Sequence, residues 1–138
     1  MDCPFCSPEH LAHRTLEEKE FVRVIASDPR LMRAHLLVIP KRHIERPSEL
    51  TKNERDELFD TLFTYQVKIL ERIAPGCDIR ENLRPFQKES RLKRHHLHFH
   101  LQPRTFEDEL YQSSQRHETA LFRPLDDDEM EALRELFA

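Results

Sequence analysis

The 138-residue chain predicts an α+β fold on three observations: two β-branched runs split by a turn, one long amphipathic helix pattern, and a stretch where histidine alternates with apolar residues. The first run, containing FVRVIA, extends from Glu20 to Ala26 and stops at the turn signal Asp28-Pro29. The second, containing HLLVI, extends from Ala34 to Ile39 and is closed by Pro40. A short polar loop between them predicts an antiparallel pair.

The helix begins at a capping-box pattern, Thr51 followed by Glu54, in which hydroxyl and carboxylate satisfy exposed N–H groups of the first turn. Leu58, Leu62, Tyr65 and Ile69 then recur at helical spacing, widened by Phe59, Phe63 and Leu70, so this helix is expected to cover a sheet. It should end near Ile73, stopped by Pro75 and by Gly76, the chain's single glycine. Cys77 to Leu83 predicts a further strand, and Arg84 to Arg94 an irregular basic segment. A last helix is expected over about Asp127 to Phe137, with Asp126, Asp127 and Asp128 at its positive end and Met130, Leu133 and Phe137 on one face. The acidic stretch from Thr105 to Glu118 reads as solvated surface.

Length fits one domain over 1–138, and 38% hydrophobic residues suffice for a core when they are periodic. A net charge of -4 excludes a general polyanion-binding surface, so any nucleotide contact must be local. Met1-Asp2-Cys3 opens without a basic segment leading into an apolar run, and no stretch approaches the roughly 20 apolar residues that span a bilayer. The expectation is a cytoplasmic protein with no membrane partner. Three cysteines, two of them at Cys3-Pro4-Phe5-Cys6, suit a reducing compartment and a metal site, while Cys77 suits packing as a small hydrophobe.

The alternating stretch carries the chemistry. In an extended strand His96, His98 and His100 share one face and Leu97, Phe99 and Leu101 the other, which leaves His95 facing away from the row. Imidazole titrates near neutrality, so such a row can attack, shuttle protons or bind metal without being forced out of its usual charge state.

These residues resemble a known family. His96-Leu97-His98-Phe99-His100-Leu101-Gln102-Pro103-Arg104 is similar to the signature of the histidine triad family. His35-Leu36-Leu37-Val38-Ile39-Pro40-Lys41-Arg42-His43 resembles its upstream block, and Cys3-Pro4-Phe5-Cys6 the start of its zinc-bearing members. The resemblance implies a five-stranded antiparallel sheet with helices, commonly paired as a homodimer, that cleaves or transfers nucleotides at an α-phosphate. The expected substrates are dinucleoside polyphosphates, nucleoside phosphoramidates or nucleotide sugars. It makes His98 the nucleophile, forming a nucleotidyl-histidine, and His100 a donor to phosphate or leaving group.

It also implies a structural Zn2+ held by Cys3, Cys6, His43 and His96, a set that suits tetrahedral zinc; a local clamp of Cys3, Cys6, His10 and His13 is the competing set. Asp28 stands where relatives hold the ribose hydroxyls, although Asp before Pro29 also forms turns unaided. The glycine-containing phosphate loop of the family is missing. Ser90, Arg91, Lys93 and Arg94 occupy that segment, with Asn82 farther from the triad than usual, so guanidinium forks stand in for backbone donors or the loop is merely solvated. Gln102 replaces a usual hydrophobe, tolerable at an exposed strand end, and His35 is expected to support strand packing. A second class of function is a non-catalytic nucleotide- or nucleic-acid-binding zinc module using Arg91, Lys93 and Arg94; the negative net charge and the lack of interleaved aromatics make nucleic acid the weaker partner.

Overall fold

The computed structural model describes residues 3–138, so the expectation read from Met1 and Asp2 lies outside the described residues. The chain has two compact units, the first reaching to Thr105 and the second being Phe106–Ala138.

The first unit is built on a five-stranded antiparallel sheet of β1 (Thr15–Glu18), β2 (Val22–Ala26), β3 (Leu36–Pro40), β4 (Gly76–Arg80) and β5 (Phe99–Arg104), in the order β1-β2-β3-β5-β4. The two β-branched runs pair in register, Val22 opposite Pro40 and Ala26 opposite Leu36, as expected of adjacent strands joined by a short loop. β1 was not legible: TLEE is short, polar and half-exposed, with a bulge between Thr15 and Glu17.

After a turn of α1 (Pro8–Leu11) on one side of the sheet, the long helix α2 (Lys52–Arg72) covers the other. Its capping box forms as predicted: Glu54 N–H donates to Thr51 Oγ1 at 3.2 Å, and Thr51 N–H to Glu54 Oε1 at 2.8 Å. Leu58, Leu62 and Ile69 pack against Val22, Val24, Val38, Leu97, Phe99 and Leu101. The stripe is wider than the sheet can cover, and Phe59, Phe63 and Leu70 stay exposed. On the opposite face Phe5 and Leu11 seal Ile25, Leu37 and Ile39.

Helix α2 ends where Ile73 N–H still bonds the Ile69 carbonyl, but Gly76 is not its cap. It has no positive φ; it opens β4 opposite Arg104, and a Cβ there would lie 3.2 Å from Arg104 Cβ and 3.3 Å from its carbonyl oxygen. The glycine therefore permits a close strand approach. Strand β5 likewise starts later than the alternation predicts, at Phe99, and carries Pro103 inside it opposite Cys77. His96 and His98 precede the ladder. Gln102 is buried, contrary to an exposed strand end, and its Oε1 accepts from Arg104 Nη2 at 3.3 Å.

The second unit holds α3 (Glu109–Leu121), capped by Asp108 accepting from Tyr111 N–H at 2.6 Å, and α4 (Asp127–Leu136), capped by Asp126 accepting from Glu129 N–H at 2.9 Å. The acidic stretch is thus partly a helix start. No helix among the described residues is long and apolar enough to cross a membrane.

Candidate active site and metal centre

Four potential ligands meet at one end of the first unit. Cys3, Cys6, His43 and His96 place their ligand atoms within 4.8 Å of one another. His96 Nδ1 lies 3.5 Å from Cys3 Sγ, 3.4 Å from Cys6 Sγ and 3.1 Å from His43 Nδ1, and Cys6 Sγ lies 3.3 Å from His43 Nδ1. Edges of a tetrahedron with metal–ligand bonds of about 2.1–2.3 Å run roughly 3.4–3.8 Å, so these four donors fit one tetrahedral ion after small outward shifts. His96 Nε2–H donates to the Pro40 carbonyl at 2.8 Å, which leaves Nδ1 as the lone-pair nitrogen and orients the ring toward the cluster. Burial holds this imidazole down at about 4, neutral as a ligand must be. His10 and His13 lie outside the cluster.

The backbone explains the convergence of residues so distant in sequence. Leu97 N–H donates to the Ile44 carbonyl, bringing His96 beside His43. Arg42 forks onto the buried Glu54 through Nη2 at 2.9 Å and Nε at 3.2 Å, so the capping residue of α2 also anchors the loop that carries His43.

Next to this cluster a cleft of about 560 Å³ opens over the other two histidines. His98 Nδ1–H donates to the His96 carbonyl at 2.8 Å, so its Nε2 bears the free lone pair. Phe5 stands edge-on to both His96 and His98, with ring centroids at 5.8 and 5.4 Å. Burial, then the nearby Lys93 charge, keep His98 below its ordinary range.

His100 is set by a relay that sequence reasoning missed. Leu31 N–H donates to His35 Nδ1 at 3.1 Å, so the neutral His35 carries its proton on Nε2 and gives it to His100 Nδ1 at 2.9 Å. His100 is thereby left with its proton on Nε2. Burial holds His35 at about 4 and His100 at about 3, with the Arg80 charge adding to both. His35 does support packing, being buried, but it also lines the cleft and fixes a tautomer. Its position opposite the triad, at the head of the strand block, was the available signal.

The cleft gathers Asp28, Asn82, Arg91, His98 and His100 together. It does not gather Ser90, whose Oγ instead accepts from the backbone N–H groups of Leu92 and Lys93 at 3.1 and 3.2 Å. Phe5 and Arg14 line it as well, unanticipated because neither belongs to a recognisable pattern. His95, expected to face away from the row toward solvent or a dimer partner, donates from Nε2 to the Gln87 carbonyl at 3.0 Å.

A five-stranded antiparallel sheet with a histidine row beside its inner strand defines a protein of the histidine triad class. The chain belongs to that family: the model described as scavenger mRNA decapping enzyme C-term binding matches residues 2–116. Among solved structures it is similar to a HIT family protein from Bacillus anthracis, at 19% identity and TM-score 0.71, covering 99% of this chain and 94% of that one. A member of the HIT family from Bacillus subtilis shares 20% identity with TM-score 0.65, over 91% of this chain and 100% of that one. A zinc-bound histidine triad family protein from Mycobacterium smegmatis shares 24% identity with TM-score 0.63, over 93% and 86%. At these identities the structures speak for the fold. No curated protein matches.

Proposed function

We propose that the protein is a nucleotide hydrolase or nucleotidyltransferase that cleaves at an α-phosphate through a covalent nucleotidyl-His98. The observation that carries this reading is the hydrogen bond from His98 Nδ1 to the His96 carbonyl, which leaves Nε2 unprotonated at the cleft. Nε2 attacks phosphorus, the P–N bond forms as the bond to the leaving group breaks, and water or another acceptor then releases the nucleotide and restores the imidazole. His100, protonated on Nε2 by the His35 relay, donates to the phosphate or the departing atom. Asp28 takes the ribose hydroxyls, and Asn82 and Arg91 the phosphate; Ser90 serves through the turn that carries Arg91.

The Cys3, Cys6, His43 and His96 cluster is proposed to hold zinc, in line with the zinc-bound relative and with a two-sulfur, two-nitrogen donor set. Its part is structural, since it pins the N-terminal turn and the His96 carbonyl on which His98 depends. Reduced thiols of this kind fit a cytoplasmic setting. A homodimer is proposed through the free edge of β4 and the exposed Phe63, Val67 and Leu70 of α2, to be checked by light scattering.

The test is to incubate the protein with diadenosine polyphosphates and with adenosine phosphoramidate and follow AMP. Release that disappears in His98→Ala supports the reading. Binding without release from any of them leaves the non-catalytic module.

A further inference from the structure

The short turn that holds two of the cluster's cysteines also carries an aromatic ring to the histidine row. Cys6 N–H donates to the Cys3 carbonyl at 3.0 Å, which closes a 3-10 turn over Pro4–Cys6, and the two sulfurs lie within 4.8 Å of each other. Phe5 stands between them in the chain. Its buried ring is edge-on to His98 at 5.4 Å and to His96 at 5.8 Å, and together with Pro4 it lines the cleft. The cysteine pair and the cleft are thus joined by one residue of backbone on either side.

The two thiols differ in access. Cys6 is exposed and Cys3 half-buried, so a small oxidant in solution meets Cys6 first, with Cys3 one turn away as the resolving partner. Three residues at a rise of about 2.0 Å place the two Cα atoms roughly 6 Å apart, inside the range of about 4.4–6.8 Å in which a disulfide closes. Cys77 is the contrast. Burial pushes its thiol up to about 11, which keeps it protonated near neutrality, whereas a cysteine that binds metal does so as the reactive thiolate.

Joining the two sulfurs takes away half of the donor set. His43 and His96 are then the remaining members of the cluster, too few to hold the ion. The same bond draws together the ends of the turn under Phe5, while loss of the metal frees the His96 ring on its cluster side. His98 leans on both neighbours, on Phe5 by ring contact and on His96 through its carbonyl.

We propose that Cys3 and Cys6 form a peroxide-reactive thiol pair whose oxidation to a disulfide expels the metal and disturbs the cleft through Phe5 and the His96 carbonyl, switching the nucleotide chemistry off reversibly. The Cys6 thiolate attacks one peroxide oxygen, the O–O bond breaks and hydroxide leaves, giving a sulfenic acid. The Cys3 thiolate then attacks that sulfur, the S–S bond forms and the S–O bond breaks with loss of a second hydroxide. Two electrons pass from the thiolates to one hydroperoxide, and two solvent protons turn both hydroxides into water. In a reducing compartment such a bond is transient, as redox sensing requires. The switch goes beyond nucleotidyl transfer and rests on the zinc assignment above.

The experiment treats the full zinc-loaded chain with a small molar excess of hydrogen peroxide, after elemental analysis has fixed its metal content. Zinc passing to a colorimetric chelator, a Cys3–Cys6 disulfide in peptide mass analysis, and AMP release from diadenosine tetraphosphate are followed on the same samples against an untreated control. Zinc release and disulfide formation should rise together while AMP release falls by about tenfold, and dithiothreitol with added zinc should restore it. Cys77→Ser should respond as the parent does. Metal and disulfide are read apart from turnover, so a chain that yields no AMP before treatment removes the nucleotidyl-transfer reading while still testing the thiol pair. Zinc retained with both thiols unmodified overturns the proposal, as does oxidation confined to Cys77 or a disulfide that leaves AMP release unchanged. Absence of zinc before treatment removes the metal reading and the switch together, whereas zinc that is present and unresponsive removes the switch alone.

Discussion

His96 and His98 lie two residues apart on one face and have opposite surroundings. The first is buried, gives its Nε2 proton to the Pro40 carbonyl and turns Nδ1 toward two sulfurs and a second imidazole. The second is only half-buried, gives its Nδ1 proton to the His96 carbonyl and turns Nε2 toward an open cationic cleft. Identical side chains thus present different free nitrogens, one to a cysteine–histidine cluster and one to a cleft, according to which nitrogen the backbone captures. The lesson is that residue type supplies the capability, while the backbone carbonyl that captures one ring nitrogen, from a distant strand end for His96 and from two residues back for His98, decides which nitrogen is left free.

Removing the imidazole on the cleft side should have the largest effect. His98→Ala is expected to lower AMP release by at least about 10³-fold while nucleotide affinity, measured by calorimetry, changes by less than about threefold. On the metal side the outcome should be reversed in kind. Cys6→Ser should abolish bound zinc in elemental analysis and lower Tm on the order of 10 °C, because metal binding is coupled to folding of the N-terminal turn.

The His35 to His100 relay sharpens the contrast, since it assigns a tautomer without any metal. His35→Gln should reduce kcat by roughly 10–100-fold with a smaller change in KM, as expected of a positioning residue. It should also change acid sensitivity. His35 is held at about 4 in the folded protein, below its unfolded 6.5, so the unfolded chain binds the proton more readily and stability is lost as pH falls from 6.5 toward 4. Chemical denaturation at several pH values should therefore show a shallower loss over that window in His35→Gln than in the parent, with the metal ligands contributing equally to both. The smallest effect belongs to the scaffold: Thr51→Ala removes one half of the α2 capping box and should cost about 1 kcal/mol, with zinc content and activity unchanged.

Much of this was legible in sequence for a definable reason. Strand and helix periodicities report burial directly, so β2, β3 and α2 emerge with nearly their observed bounds, and Thr51 with Glu54 marks the helix start. The residues of the metal cluster and the cleft came through the family resemblance, and the fold brings both sets together from distant segments. What stayed hidden depends on backbone direction or on polar edges. No periodicity encodes that the His96 carbonyl faces His98, that Leu31 N–H meets His35, or that Ser90 turns inward on its own loop. Strand β1 and helix α3 bury too little to leave an apolar pattern, although Asp108 as a cap was a usable signal for the latter.

If the cysteine–histidine cluster holds zinc as proposed, the cluster and the open histidine should fail separately. Zinc loss should loosen the His96 carbonyl and slow the reaction in part, whereas loss of His98 should leave the metal untouched. That asymmetry can be read from zinc content and AMP release measured on the same two variants.

The most direct measurement is rapid quenching of the protein with diadenosine tetraphosphate, followed by intact-mass and peptide analysis under mildly basic conditions that preserve phosphoramidate bonds. One adenylyl group per chain on the peptide containing His98, absent in His98→Ala, is the predicted result. Turnover to AMP with no adduct on that imidazole, or an adduct on His96 or His100 instead, would contradict the account.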